Sequence, residues 1–316
     1  MMENYLNNKS FFVLISKWKK HIIAIIFIAA IVSYAATYLI TPMYKSEAIL
    51  YPVNLPTFST ESNTEQMQQI IESMDIREKI FKTFDLATHY EIDTTEKYWF
   101  TTLNKEFESN VSISKTKFDA VLIEVFDKDP QIASNMIDSL TQYYNETVRR
   151  MHREKHEEVV TLKKLLLDKV TREVDSLEAI KRGHQTQFGI FDYGTQASEA
   201  TKRYVKLLAQ GKGNTQPAKD IQIIIDNLIK KGIENEEVSG LLWAARNLYN
   251  NTKLEVENEL IEVQKEISYA QFVNHPLPAD KKSSPIRMLY VLFSCVATLV
   301  ATIIFITFIE SKKSAN

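Results

Sequence analysis

The stretch IIAIIFIAAIVSYAATYLI at residues 22–40 and its counterpart MLYVLFSCVATLVATIIFITFI at residues 288–309 decide how this chain is arranged. A bilayer core is spanned by about 20 consecutive apolar residues, and neither stretch contains Asp, Glu, Lys or Arg. Each is read as a transmembrane helix. The rival reading of the first is a cleaved secretory signal, because Ser33, Tyr34 and Ala35 loosely fit a small-x-small cleavage site. Its apolar region is longer than the usual run of about 7–15 residues, which favours the membrane helix.

Working outward, the flanking basic residues set the orientation. Lys9, Lys17, Lys19 and Lys20 precede the first stretch, and only Lys45 follows it closely. The second stretch does not decide, since Lys281, Lys282 and Arg287 stand before it and Lys312 and Lys313 after it. With the first span fixed, residues 1–21 and 310–316 are expected as cytoplasmic tails. Residues 41–287 then lie outside the inner membrane.

Charge and cysteine usage suit a folded external domain. The net charge of -2 divides into about +3 on residues 1–21, about +1 on the last seven and about -6 between them, which argues against a nucleic-acid partner. The single cysteine, Cys295, falls inside the second apolar stretch. The external segment therefore has no disulfide and depends on its own packing or on oligomerisation. It is long enough to bury a core.

The external segment opens with PMYKSEAILYP at residues 42–52, where Tyr44, Ala48 and Leu50 alternate with polar residues as in a strand. Asn54, Leu55, Pro56 and Thr57 and the Ser/Thr/Asn cluster at 59–64 read as a loop. Met67, Ile70, Ile71 and Met74 then mark one helix, and Ile76, Ile80, Phe84 and Leu86 another. Residues 111–114 and 120–125 are rich in β-branched residues and separated by a short polar turn, the signature of a hairpin.

From Pro130 the period becomes helical, with Asp129 placed to cap the first turn. Ile132, Met136, Leu140, Tyr144 and Val148, then Leu162, Leu166, Val170, Val174, Leu177 and Ile180, are read as one apolar face. Unbroken to Phe188, this helix is roughly 85 Å long. Its segment HREKHEE at 152–158 has no apolar residue and is expected to project through solvent or to meet a neighbouring subunit through charges. Gly183, Gly189, Gly194, Gly211 and Gly213, with Pro217, mark the breaks of a distal tip holding short helices at 196–208 and 219–229. After Gly232 a second long helix is expected, with Val238, Leu242, Ala245, Tyr249, Val256, Val263 and Ile267 on one face. Residues 268–273 alternate like a strand able to join the opening one. Pro276, Pro278 and Pro285 form a stiff linker into the second span.

The fold class is α+β: two transmembrane helices flank an external domain with a membrane-proximal base (41–129 and 268–287) and an extended helical hairpin with its tip (130–267). In four places the chain resembles the Wzz-type chain length determinant family, the polysaccharide co-polymerases. The first is the membrane helix running into PMYKSEAIL, with Pro42 and Tyr44 similar to the family's Pro-x-Tyr. The second is FDKDPQIASNMIDSLTQYY at 126–144, where Asp129, Pro130 and Ala133 are similar to its Asp-Pro-x-x-Ala pattern. The third is the approach HPLPADKKSSP with Pro276, Pro278 and Pro285, and the fourth is the order of elements. The chain departs from the family in lacking glycine between residues 288 and 309, where Ser294, Ala297 and Ala301 supply the small face for helix contact. With seven residues after the second span and no phosphate loop, it resembles the kinase-free class.

Each candidate for chemistry has a plainer reading beside it. His152 and His156 stand at i, i+4 as metal ligands do, but no third ligand follows at a known spacing, and Arg153, Lys155 and Glu157 suit a solvated face. Gly211, Lys212 and Gly213 lack the strand and helix of a phosphate loop and read as a turn. Glu124, Asp127 and Asp129 end a strand and cap a helix. The aromatic groups Trp99 with Phe100, and Phe188 with Phe191 and Tyr193, suit core or subunit packing more than sugar stacking. Trp18 and Tyr38 fit interfacial anchors.

No acid, base or nucleophile set stands at recognisable spacing, and no cofactor is expected. The resemblance implies a ring-like homo-oligomer that works with a polysaccharide polymerase on a lipid-linked polysaccharide. Such an assembly sets the chain length of O-antigen, capsule or exopolysaccharide. The alternatives are a two-helix membrane sensor signalling through a partner, and a capsule-export component of the same fold.

Overall fold

The computed structural model describes residues 8–56 and 58–315. Thr57, and the side chains of Lys9, Lys312 and Lys313, lie outside the described residues. In chain order the elements are α1 (Asn8–Ala36), β1 (Tyr44–Pro52), α2 (Asn63–Ile71), α3 (Met74–Thr83), α4 (Leu86–His89), α5 (Trp99–Asn110), β2 (Val111–Lys115), β3 (Val121–Asp127), α6 (Pro130–Phe188), α7 (Tyr193–Ala209), α8 (Gln216–Val263), β4 (Ala270–Asn274) and α9 (Arg287–Ala315).

Two compact units result. One holds the chain through Val148 and from Ser268 onward, and the other is Arg149–Ile267. Within the first, Leu14–Ala36 of α1 and Arg287–Glu310 of α9 are long and apolar enough to cross a membrane, and few of their side chains are buried. A core helix of a water-soluble domain would bury such residues, so the two helices have the character of membrane spans. The first apolar stretch is helical only to Ala36, where the Thr37 hydroxyl donates to the Tyr34 carbonyl at 2.7 Å and residues 37–40 turn away.

The sheet of the first unit has the order β2-β3-β1-β4, with every neighbouring pair antiparallel. Its register sets Tyr44 opposite Asp127 and Leu50 opposite Val121, and β4 joins the free edge of β1 with Leu50 opposite Phe272. Period-two alternation buries Ala48, Leu50, Val121, Ile123 and Val125, and α2 and α5 pack on the sheet. α2 starts with a capping box, in which Ser62 accepts from the Glu65 amide and Glu65 accepts from the Ser62 amide. On α6, Ala133, Met136, Ile137, Leu140, Tyr144 and Val148 are buried at helical spacing, so residues 130–148 belong to this unit. The Tyr144 hydroxyl donates to the Tyr269 carbonyl, and the Asn145 side chain accepts from the Tyr269 amide at 2.6 Å, fastening α6 to the start of β4.

The second unit is a helical hairpin. His152 meets Glu262, His156 and Lys163 meet Glu259, Glu178 meets Arg246, His184 meets Glu234, and the Asn227 amide reaches the Phe188 carbonyl. That orderly succession makes α6 and α8 antiparallel over the whole unit. Few apolar side chains are buried along them, chiefly Val160, Val170, Val238, Leu242, Ala245 and Val256.

Two expectations are corrected here. The buried stripe of α6 does not pass through Leu162, which is 67% exposed, or through Leu166. It runs from Val148 through His152 and His156 to Val160 and Val170, so HREKHEE meets α8 of its own chain through its two histidines while its other five residues are exposed. Two histidines, not apolar residues, hold the inward positions of the polar segment, so hydrophobic periodicity alone could not follow the stripe through it. Secondly, α8 is one helix of 48 residues that begins at Gln216 and passes through Gly232 without a break. A Cβ at Gly232 would overlap the Tyr193 ring, so this glycine serves close approach. The tip is closed by Gly189, whose φ of 70° lets the Ile190 amide reach back to the His184 carbonyl at 3.2 Å.

Candidate functional site

The sequence motifs converge at one end of the sheet. Chain leaving α1 and chain approaching α9 run side by side there: the Met43 amide donates to the Ser284 carbonyl at 3.0 Å, and the Ser283 amide donates to the Met43 carbonyl at 2.8 Å. Ser46 donates to the Leu277 carbonyl at 3.0 Å, which draws in the linker between Pro276 and Pro278. Pro276 and Pro285 are buried and Pro42 and Pro278 exposed; the Ser284–Pro285 bond is cis.

Tyr44 opposes Asp127 in the β1–β3 register, which brings the start of α6 to the same end. Asp129 accepts from the Gln131 amide at 2.8 Å and from the Ile132 amide at 3.4 Å, so it caps α6 as its position predicts, with Pro130 in the first turn and Ala133 buried beneath. Asp127 is fully buried and accepts from the Asp129 amide at 2.8 Å. His89 Nε2 lies 2.9 Å from one of its oxygens, and the Tyr90 hydroxyl donates to the other at 3.1 Å. Burial, and then the Asp127 charge, push the Tyr90 hydroxyl well above its usual range. Glu124 instead pairs across the strands with Lys45 at 2.5 Å. The three carboxylates are therefore divided between a strand pair, a buried anchor and a helix cap. His89 and Tyr90, which hold the anchor, carried no signal in the sequence because their partner lies 38 residues away.

In the membrane pair, α1 meets α9 through Leu14, Trp18, Ile22 and Ile26 against Leu299 and Ile306, and Lys17 pairs with Glu310. Thr302 is also buried, whereas Ala297 and Ala301 are exposed and Ser294 is half-buried. The small face is thus not the one that α9 turns to α1. At the start of α9 the Arg287 guanidinium stacks 3.7 Å over the Tyr38 ring.

The remaining candidates settle into packing, except Phe191, which is 65% exposed. Phe100 and Phe107 pack edge-on against Phe81, and Phe100 also meets Trp99. Phe188 and Tyr193 cover the tip cluster of Ile190, Ala200 and Leu228. Gly211, with φ 71°, ends α7 in a turn. The histidine pair differs from its reading as a solvated face: His152 is buried, and His152, His156 and Glu262 each present a ligand atom within 4.8 Å of the others.

No protein-family model and no curated protein matches the sequence. Among solved structures, a full-length bacterial polysaccharide co-polymerase aligns over 96% of this chain and 98% of its own, with a TM-score of 0.51 at 12% identity. This chain shares that fold. A Wzz dodecamer aligns over 76% of this chain and 100% of its own at 13% identity, with a TM-score of 0.37. A variant of the Shigella flexneri lipopolysaccharide O-antigen chain-length regulator covers the same shares at 13% identity and 0.33. The fold assignment rests on the full-length match alone.

Proposed function

We propose that this protein is an inner-membrane polysaccharide co-polymerase, a non-catalytic homo-oligomeric scaffold. Together with a polymerase acting on a lipid-linked polysaccharide, it regulates the chain length of O-antigen, capsule or exopolysaccharide. The observation that carries this reading is the end-to-end alignment with the full-length co-polymerase, membrane helices included.

Three features support it. The exit, cap and re-entry motifs that resemble the chain length determinant family meet at one end of the sheet. The hairpin exposes large apolar residues on both helices, among them Leu162, Leu165, Leu241, Leu254 and Trp243 at 72% exposure, which suits burial against further copies of the chain. Lys17, Lys19 and Lys20 before the first span support cytoplasmic flanks and a periplasmic segment between the spans.

Deleting the gene is expected to change the length distribution of a surface polysaccharide without abolishing its synthesis, read as a ladder on a gel. An unchanged ladder overturns the proposal. Native mass measurement in detergent is expected to find a large oligomer, and a monomer at every concentration removes the scaffold.

A further inference from the structure

The cross-contacts of the hairpin contain a set of side chains with a chemistry that chain-length regulation does not use. His152 and His156 stand one turn apart on α6, their ring centroids 4.3 Å apart. Glu262 arrives from α8, with one carboxylate oxygen 3.2 Å from His152 Nε2. We propose that His152, His156 and Glu262 form a binding site for a divalent transition-metal ion of the zinc class, which clamps α6 to α8. This inference stands apart from the proposed function.

The geometry suits the ion. Zinc bonds of about 2.0–2.1 Å to imidazole and carboxylate at tetrahedral angles set neighbouring ligand atoms about 3.3 Å apart. The His152–Glu262 edge has that length already, and all three ligand atoms fall within 4.8 Å of one another, so small side-chain rotations close the wider edges. Two imidazoles and one carboxylate are a donor set that favours zinc and its neighbours over magnesium or calcium, which prefer oxygen alone.

The surroundings are those of a ligating histidine. His156 Nδ1 lies 2.6 Å from Glu259, and Lys163 holds the second oxygen of that carboxylate at 2.9 Å. A carboxylate on Nδ1 fixes the tautomer and leaves Nε2 of the same ring to the metal. Lys265 sits 3.1 Å from the Glu262 carboxylate and would yield one oxygen to the ion. The protein supplies three ligands, which leaves a fourth position for water or another donor. Where α6 lacks any apolar residue between 152 and 158, such a clamp replaces the missing hydrophobic contact.

The test uses the tag-free full-length protein in detergent, stripped with a chelator and titrated with zinc alone. One zinc per chain is expected, with a rise in melting temperature. His156→Ala and Glu262→Gln should each weaken binding more than ten-fold, Glu259→Gln about ten-fold as a residue acting through His156, and His275→Ala not at all. X-ray absorption of the wild-type complex counts the imidazoles directly, so a variant that fails to fold leaves the answer intact: two imidazoles uphold the site, and one or none overturns it. Absence of stoichiometric binding, or equal binding by the variants, reduces the cluster to two ordinary His–Glu hydrogen bonds.

Discussion

The two compact units use the same residue types to opposite ends. In the unit built on the sheet, Leu50, Ile123 and Tyr144 are fully buried; Asp127 is buried among hydrogen-bond donors, while the Lys45–Glu124 pair is partly exposed and Asp129 caps a helix. In the hairpin the contacts between helices are carried largely by His, Lys, Arg and Glu, while leucines and a tryptophan face outward. The first unit carries its own hydrophobic core. The second holds its two helices in register largely through partly buried polar pairs and leaves apolar surface for something else to cover.

The sharpest way to break this contrast is to truncate a leucine in each unit. Leu50→Ala leaves a cavity in the sheet core and is expected to cost about 2–5 kcal/mol, whereas Leu162→Ala should change monomer stability by less than about 0.5 kcal/mol. Chemical denaturation measures both, and equal losses would refute the division. In native mass measurements Leu162→Ala should weaken assembly and Leu50→Ala should act only through folding.

Next in size is Gly232→Ala, where the new methyl displaces the Tyr193 ring and overpacking costs about 1–3 kcal/mol. Amide exchange should quicken around Ile190 and Leu228 and stay unchanged in the sheet. Replacing Asp129 by alanine removes a helix cap worth about 1 kcal/mol. Asparagine at the same position should restore most of it, since it too accepts from the amides of Gln131 and Ile132.

The smallest effect distinguishes the units by pH. His152 is held below its ordinary range by burial and by His156, against the opposing pull of Glu262. A histidine so depressed supports the folded state while neutral; that support is complete above the unfolded value near 6.5 and is lost as pH falls through the folded one. Glu262, held low chiefly by Lys265, and Glu259, held low chiefly by Lys163, lose their contributions in the same direction at lower pH. Between about pH 7 and about pH 5.5, amide protection, taken relative to the intrinsic exchange rate at each pH, should therefore fall in the hairpin and not in the sheet. His152→Gln should flatten the response, and an unaltered response in that variant would show that other groups govern it.

Local signals were legible in the sequence and pairings across the chain were not. The apolar spans, the Val- and Ile-rich hairpin strands and the Asp129–Pro130 start of α6 each rest on neighbouring residues, and each stands in the structure. α5 escaped notice because Trp99, Phe100, Thr101 and Thr102 are strand-favouring residues, although Leu103 and Phe107 are buried at helical spacing. Gly232 reads as a breaker until Tyr193 is seen against it. The histidine pair lacked a third ligand because Glu262 comes from a helix 110 residues downstream of His152.

The bridge between Met43 and Ser284 closes the external chain at its root. The bridge joins backbone on either side of the whole segment from β1 to β4 and makes no contact that depends on the length of the helices between them. Because α6 and α8 pair in steady antiparallel succession from His152–Glu262 to Phe188–Asn227, whole turns inserted at matched places on both helices would lengthen the hairpin while keeping its cross-pairs in step. The residues that close the chain at Met43 and Ser284 and those that set the length of the hairpin are therefore different ones, and each can change without the other.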